Sequence, residues 1–214
     1  MCGEWDRLAV AWEEAVSVAS SRWATPVTPG AARVRTVGWW GMMLGIVAMV
    51  KFHITVGAAY LYVRWGHTEW PPAGFERPGL TPLLILVLPI AALALLSWAR
   101  AGAREGSAGR LLPAVTGAAA IGLVAVVLRS LTYVNAPFGW DEHAYASLFW
   151  LLGGYEIIIL TVGVLFAAVV VVQVLLGVVN DRDYDVLEVT TVYWWFAVIT
   201  SAISLTTLYL GALL

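Results

Sequence analysis

Five stretches of predominantly apolar residues, about 38–63, 81–98, 111–133, 146–179 and 188–214, take up most of the chain and leave most charges to the segments between them. A bilayer's hydrocarbon core is roughly 30 Å thick and asks for about 20 such residues per helix. Each stretch is therefore predicted to span a membrane. With 61% hydrophobic and 12% charged residues in a chain of 214, the apolar surface is more than a single soluble domain of this size can hide. The expected fold is an all-α membrane protein, a bundle of about five transmembrane helices. The second span carries Pro89, which a membrane helix tolerates as a kink, and the fourth is long enough to tilt or to project beyond the bilayer.

Residues 1–37 precede the bundle. Trp5, Leu8, Trp12 and Val16 recur at helical spacing against Glu4, Arg7, Glu13 and Glu14, the pattern of a short amphipathic helix at the interface or docked on a partner. Thr25-Pro26-Val27-Thr28-Pro29-Gly30 then breaks the chain, and a linker leads to the first span. No basic region followed by an apolar core and a cleavage site is present, so no cleaved signal peptide is expected. Arg22, Arg33, Arg35, Arg100, Arg104, Arg110 and Arg182 fall on one side of the predicted topology, against Arg64 and Arg77 in the first opposite loop. By the bias of basic residues toward the inner side, the N-terminus lies inside and the C-terminus outside. The location expected for such a chain is a prokaryotic plasma membrane.

Several chemistries are excluded or disfavoured. A formal net charge of −2 offers no basic stripe to neutralise phosphates, so nucleic acid is not an expected partner. One cysteine, Cys2, excludes an internal disulfide and a cysteine-rich metal site. No Gly-rich phosphate loop, Ser/His/Asp arrangement or metal-ligand cluster stands out. Asp181, Asp183 and Asp185 lack the ligand positions of a calcium loop and read as a solvated turn. No catalytic, cofactor-binding or metal-binding residue is expected in this chain.

The bilayer makes the ionisable residues at membrane depth the informative ones: Lys51 and His53 in the first span, Arg129 near the end of the third and Glu156 in the fourth. A charge at the centre of a spanning helix costs about 2.5–3.5 kcal/mol on insertion scales, so such groups are expected to face protein or water and to have partners. Glu156 is the acid available to Lys51 or His53. Glu156 with Lys51 or His53 is thus a candidate intramembrane polar pair, which reads either as part of a proton or ion path or as a structural link between two helices. A relay needs several titratable groups in series, which favours the structural link. Arg129 is expected near the interface, where its side chain can snorkel to the headgroups, and Trp70 at the same level. His53 lacks the second membrane-depth histidine that bis-histidine haem ligation needs.

Three segments in register resemble cytochrome c oxidase subunit III. They are Ala59-Tyr60-Leu61-Tyr62-Val63-Arg64 followed by Trp70-Pro71-Pro72, then His143-Ala144-Tyr145-Ala146-Ser147-Leu148-Phe149-Trp150 continuing to Tyr155, and Tyr193-Trp194-Trp195-Phe196 followed by Leu208-Tyr209-Leu210. The order along the chain is that of the family, and five spans match its shorter members. The polar signatures of the family have changed: its membrane glutamate falls at Met49, a glutamine at Arg129, a glutamate at Thr132, two histidines at Glu156 and Ile159, and in the last helix a histidine, an aspartate and a tryptophan at Trp195, Val198 and Ser201. The resemblance implies an acid on the first span facing a histidine on the fourth. Here an acid occupies the histidine's place, so the expected contact is a swapped pair, His53 or Lys51 with Glu156.

As a function, the resemblance implies a non-catalytic subunit III-like component of a respiratory haem–copper oxidase, which packs against the catalytic subunit, supports its stability and holds phospholipids. Haem and copper are then expected in partner subunits I and II and not in this chain. Two alternatives stay open: a companion subunit of a nitric oxide reductase or quinol oxidase, and an independent small membrane transporter. The last finds no support in an internal repeat or in paired broken helices.

Overall fold

The structure, a computed structural model, describes residues 36–68, 70, 81–179 and 184–210. The predicted amphipathic helix near the N-terminus, Pro71-Pro72, Asp181 and Asp183 lie outside the described residues. Five long helices follow one another: α1 (Val37–Trp65), α2 (Thr81–Arg104), α3 (Leu111–Val134), α4 (Ala144–Leu175) and α5 (Asp185–Leu205), which a π-helical turn extends over Thr206–Leu210. All five are long and apolar enough to cross a membrane, as the apolar runs require, and the described residues contain no strand.

Local chemistry sets the helix ends. Thr36 Oγ1 accepts the amide of Trp39 at the start of α1, and His143 Nδ1 accepts that of Ala146 at the start of α4, 2.9 Å away; each satisfies a donor that the helix itself leaves open. Helix α4 stops at Leu175, although apolar residues continue to Val179. Gly177 takes φ +72°, its amide turns back to Val174, and the next amide, of Val178, reaches Gln173 at 2.9 Å. This left-handed closure caps the last carbonyls and overrides the hydropathy that carried the expected span four residues further. At 32 residues, α4 is about 48 Å long and exceeds the hydrocarbon thickness, so it tilts or projects as its length implies.

Helices α2, α3, α4 and α5 make the dense part of the bundle. Helix α3 packs along both α2 and α4, and α5 closes against α2 and α4. Leu96, Val115, Leu160, Leu187 and Trp194 are wholly or almost wholly buried between them. Lipid tails are as apolar as leucine, so association here depends on close packing and interhelical hydrogen bonds. Both are visible at Trp194, whose indole nitrogen donates to the Gly163 carbonyl at 3.1 Å. A Cβ placed on Gly122 would lie 2.6 Å from the Trp194 ring, so the tryptophan fits because that position of α3 has no side chain.

At one end, the aromatic residues of the second resembling segment gather with Tyr60 and Trp70. Trp70 donates from its indole nitrogen to Tyr60 Oη at 2.9 Å and meets Tyr145 edge-on at 5.3 Å between ring centroids. Tyr145 in turn donates to the Leu208 carbonyl at 3.1 Å, reaching the π-helical turn after α5. Helix α1 joins the bundle along a narrow strip, with only His53, Val56 and Tyr60 buried.

A buried polar centre among the last three helices

The polar side chains at membrane depth sort into three environments. Arg129 on α3 and Glu156 on α4 are each 1% exposed, and Arg129 Nη2 donates to Glu156 Oε2. The Arg129 guanidinium also lies over the Tyr133 ring, 5.3 Å from its centroid, within the range of a cation–π contact. One turn along the same helices, Tyr133 Oη donates to the Phe149 carbonyl at 3.2 Å, and Tyr133 occupies the space that a Cβ on Gly153 would need. The buried hydroxyl of Ser201 on α5 is the next polar group beside the Glu156 carboxyl. Thus α3, α4 and α5 meet around one neutralised pair of opposite charges.

Glu156 is therefore not the partner of Lys51 or His53, as the sequence led us to expect, and Arg129 does not snorkel. The reason is which face of α4 looks which way. Helix α1 does meet α4 at the anticipated level, but through the neighbouring Tyr155: its hydroxyl donates to the Met49 carbonyl at 3.1 Å, and its ring packs on Phe52 and His53 with centroids 4.2 and 5.3 Å away. One residue turns a helix by about 100°, which carries Glu156 away from α1 and toward α3 and α5. The family comparison drawn from sequence favoured an α1–α4 pairing, and the position of Arg129 near the end of its span suggested an exit to the headgroups. Arg129 stands four residues before Tyr133 and Glu156 three after Gly153, so the Tyr133–Gly153 contact, which only the packing reveals, puts the two charges side by side.

His53 takes a partner on α5 instead. Its Nε2 lies 3.0 Å from Ser204 Oγ, and both residues are buried. His53 also borders a cleft of about 420 Å³ between α1 and α5, lined chiefly by apolar residues such as Ile46, Val50 and Phe196. Lys51 is exposed on the outside of α1 and enters none of the ion pairs among the described residues. Trp70, half-buried, belongs to the aromatic cluster described above. At the far end of the bundle, Glu188 in the first turn of α5 accepts from Arg100 at 2.7 Å and Arg104 at 3.5 Å, tying α5 to the last turns of α2.

An acid and a base held against each other, with a tyrosine and a serine beside them, tie three helices together. Among the described residues, no three His, Cys, Asp or Glu side chains gather where they could hold a metal ion.

A profile of the cytochrome c oxidase subunit III family matches residues 23–211. The chain belongs to that family. Curated relatives include cytochrome c oxidase subunit 3 of Rhizopus stolonifer, 28% identical over 163 residues that cover 73% of this chain and 58% of the relative. The proteins of the same name from Scyliorhinus canicula and Triticum aestivum are each 26% identical over 164 residues, covering 73% of this chain and 63% and 62% of theirs. The chain thus spans about three-fifths of the length of the relatives it matches. The positions where the resemblance places a glutamine and a histidine carry Arg129 and Glu156, and these two side chains touch.

Proposed function

We propose that this chain is a non-catalytic subunit of a respiratory haem–copper oxidase, packed in the membrane against the catalytic subunit I and accompanied by subunit II. Membership of the subunit III family carries the reading. Two structural features agree with it. The apolar helices make this an integral membrane protein, and the charged groups of its dense centre are committed to each other. The haem and copper chemistry belongs to the partner subunits. This chain contributes stability to them and holds phospholipid along its apolar faces, in a prokaryotic plasma membrane with the N-terminus inside.

A related complex, a nitric oxide reductase or quinol oxidase, is favoured by one observation: Met49, Arg129 and Glu156 replace the polar residues expected from the resemblance. Purification of the chain from its native membrane in mild detergent, with mass spectrometry of the accompanying subunits and a visible spectrum, tests both readings. Co-purification with a haem-bearing subunit and a copper-bearing partner is the expected result. A haem-bearing subunit without a copper-bearing partner moves the chain to the related complexes. A colourless, partner-free protein overturns the proposal in favour of an independent transporter.

A further inference from the structure

Helix α1 carries a charge where lipid cannot accommodate it. Lys51 is the fifteenth of its 29 residues, which puts it about 21 Å from either end of a helix about 43 Å long. A lysine side chain extends about 6 Å and snorkels from helix ends, whereas the headgroups are roughly 15 Å from the middle of the hydrocarbon. Lys51 is exposed, and the carboxylate at mid-depth in the described spans, Glu156, is buried against Arg129 on the other side of α4, whereas Asp185 and Glu188 stand in the first turn of α5 at the end of the bundle. A second copy of this chain would offer no free counter-charge at mid-depth from those spans either.

The surroundings of Lys51 have the pattern of a helix seam. Leu44, Ala48, Lys51, Thr55, Ala58 and Tyr62 are all exposed and recur at alternating spacings of four and three residues, the spacing that keeps one stripe of a helix against a partner helix. The buried residues His53, Val56 and Tyr60 lie on the opposite side of α1, about 180° away at 100° per residue. Ala48, Thr55 and Ala58 are small, which lets another backbone come close. Thr55 directs its hydroxyl to the Lys51 carbonyl at 2.9 Å, leaving the methyl side of the stripe apolar around one cation.

We infer that the outer face of α1 is an intramembrane interface for a transmembrane helix of another protein, one that presents a carboxylate to Lys51 at mid-bilayer depth. Intramembrane charges of this kind mark partner or pathway sites because their uncompensated form is so unfavourable. The inference rests on the reading above only in placing the chain in a larger complex; it does not depend on which complex that is.

The test uses the whole complex purified from native membranes. Two variants, Lys51→Met and Lys51→Glu, change a side chain that is exposed and enters no ion pair among the described residues, so both should reach the membrane in normal amount. A photo-reactive phenylalanine at Tyr62, with the same group at Leu123 on α3 as control, reports what lies on the face. The expected result is that Lys51→Glu lowers the recovery of one partner by about tenfold through like-charge repulsion, with Lys51→Met intermediate. Tyr62 should cross-link to a spanning segment of that partner containing Asp or Glu, and exchange of that acid for Lys should restore recovery with Lys51→Glu. Adducts confined to lipid, to residues 1–35 of this chain or to a second copy would each overturn the inference, as would unchanged recovery with both variants. The visible spectrum of the unsubstituted complex separates the two proposals: absence of haem bands from that preparation defeats the oxidase reading, whereas a cross-linked acidic helix in a haem-free complex preserves this one.

Discussion

Helices α1 and α4 are of similar length, both cross the membrane, and yet they are held very differently. Helix α4 buries twelve residues, from Tyr145 to Val170, and α1 buries three. Apolarity does not explain the contrast, since both are long apolar runs and lipid solvates an apolar face as well as protein does. Two features do. Helix α4 has glycines under bulky neighbours, Gly153 beneath Tyr133 and Gly163 against Trp194, whereas Gly41, Gly45 and Gly57 of α1 have open space where a Cβ would stand. In addition, Glu156 at mid-depth on α4 points inward to a counter-charge, whereas Lys51 at mid-depth on α1 points outward. Inside a bilayer, polarity and the room for close approach decide which helices form the centre.

Breaking the buried pair should produce the largest effect. Glu156→Gln leaves the Arg129 charge enclosed without its acid, and removing one partner of a buried pair costs about 3–5 kcal/mol. Replacing both with leucine should recover most of that loss, because two apolar residues need no counter-charge. Thermal unfolding of the purified subunit or complex, followed for Glu156→Gln and for the double leucine variant, would show it; a loss with Glu156→Gln no larger than that of a surface substitution would remove the distinction between the two regions. Gly122→Val comes next. Its added atoms fall on Trp194 and on Val164, and overpacking of this kind costs typically 1–3 kcal/mol. Gly45→Val on α1, which has open space, should be close to neutral in the same assay.

At the membrane surface, Glu188→Gln loosens the tie between α5 and Arg100. The pair is partly exposed, with side chains 15% and 29% accessible, so the loss should stay below about 1 kcal/mol and shrink as salt is added. A smaller effect is expected for Ser204→Ala, which removes the hydrogen bond to His53. Interhelical side-chain bonds in membranes average about 0.6 kcal/mol. If that substitution instead released α1 from the bundle, measured as new protease sensitivity of the segment after Trp65, the weakly held helix would be shown to depend on this one contact.

What the chain's amino acids dictated unaided was the number and nature of the elements: five helices, because the bilayer accepts long apolar runs only with their backbone groups paired within the segment. They also singled out Lys51, His53, Arg129 and Glu156 as the groups needing an explanation, since each is expensive in hydrocarbon. Which of these meet was decided by tertiary structure. Tyr155 and Glu156 are adjacent in sequence, yet one faces α1 and the other α3 and α5, and a shift of one residue in the packing of α4 would have exchanged them. That register is set by Tyr133 above Gly153 and Trp194 against Gly122 and Gly163, contacts between residues far apart in the chain whose geometry no local pattern encodes. The end of α4 shows the same division on a smaller scale. Hydropathy continued to Val179, but the left-handed backbone at Gly177 turned the chain, because closing the last carbonyls outweighs extending an apolar run beyond the length the membrane requires.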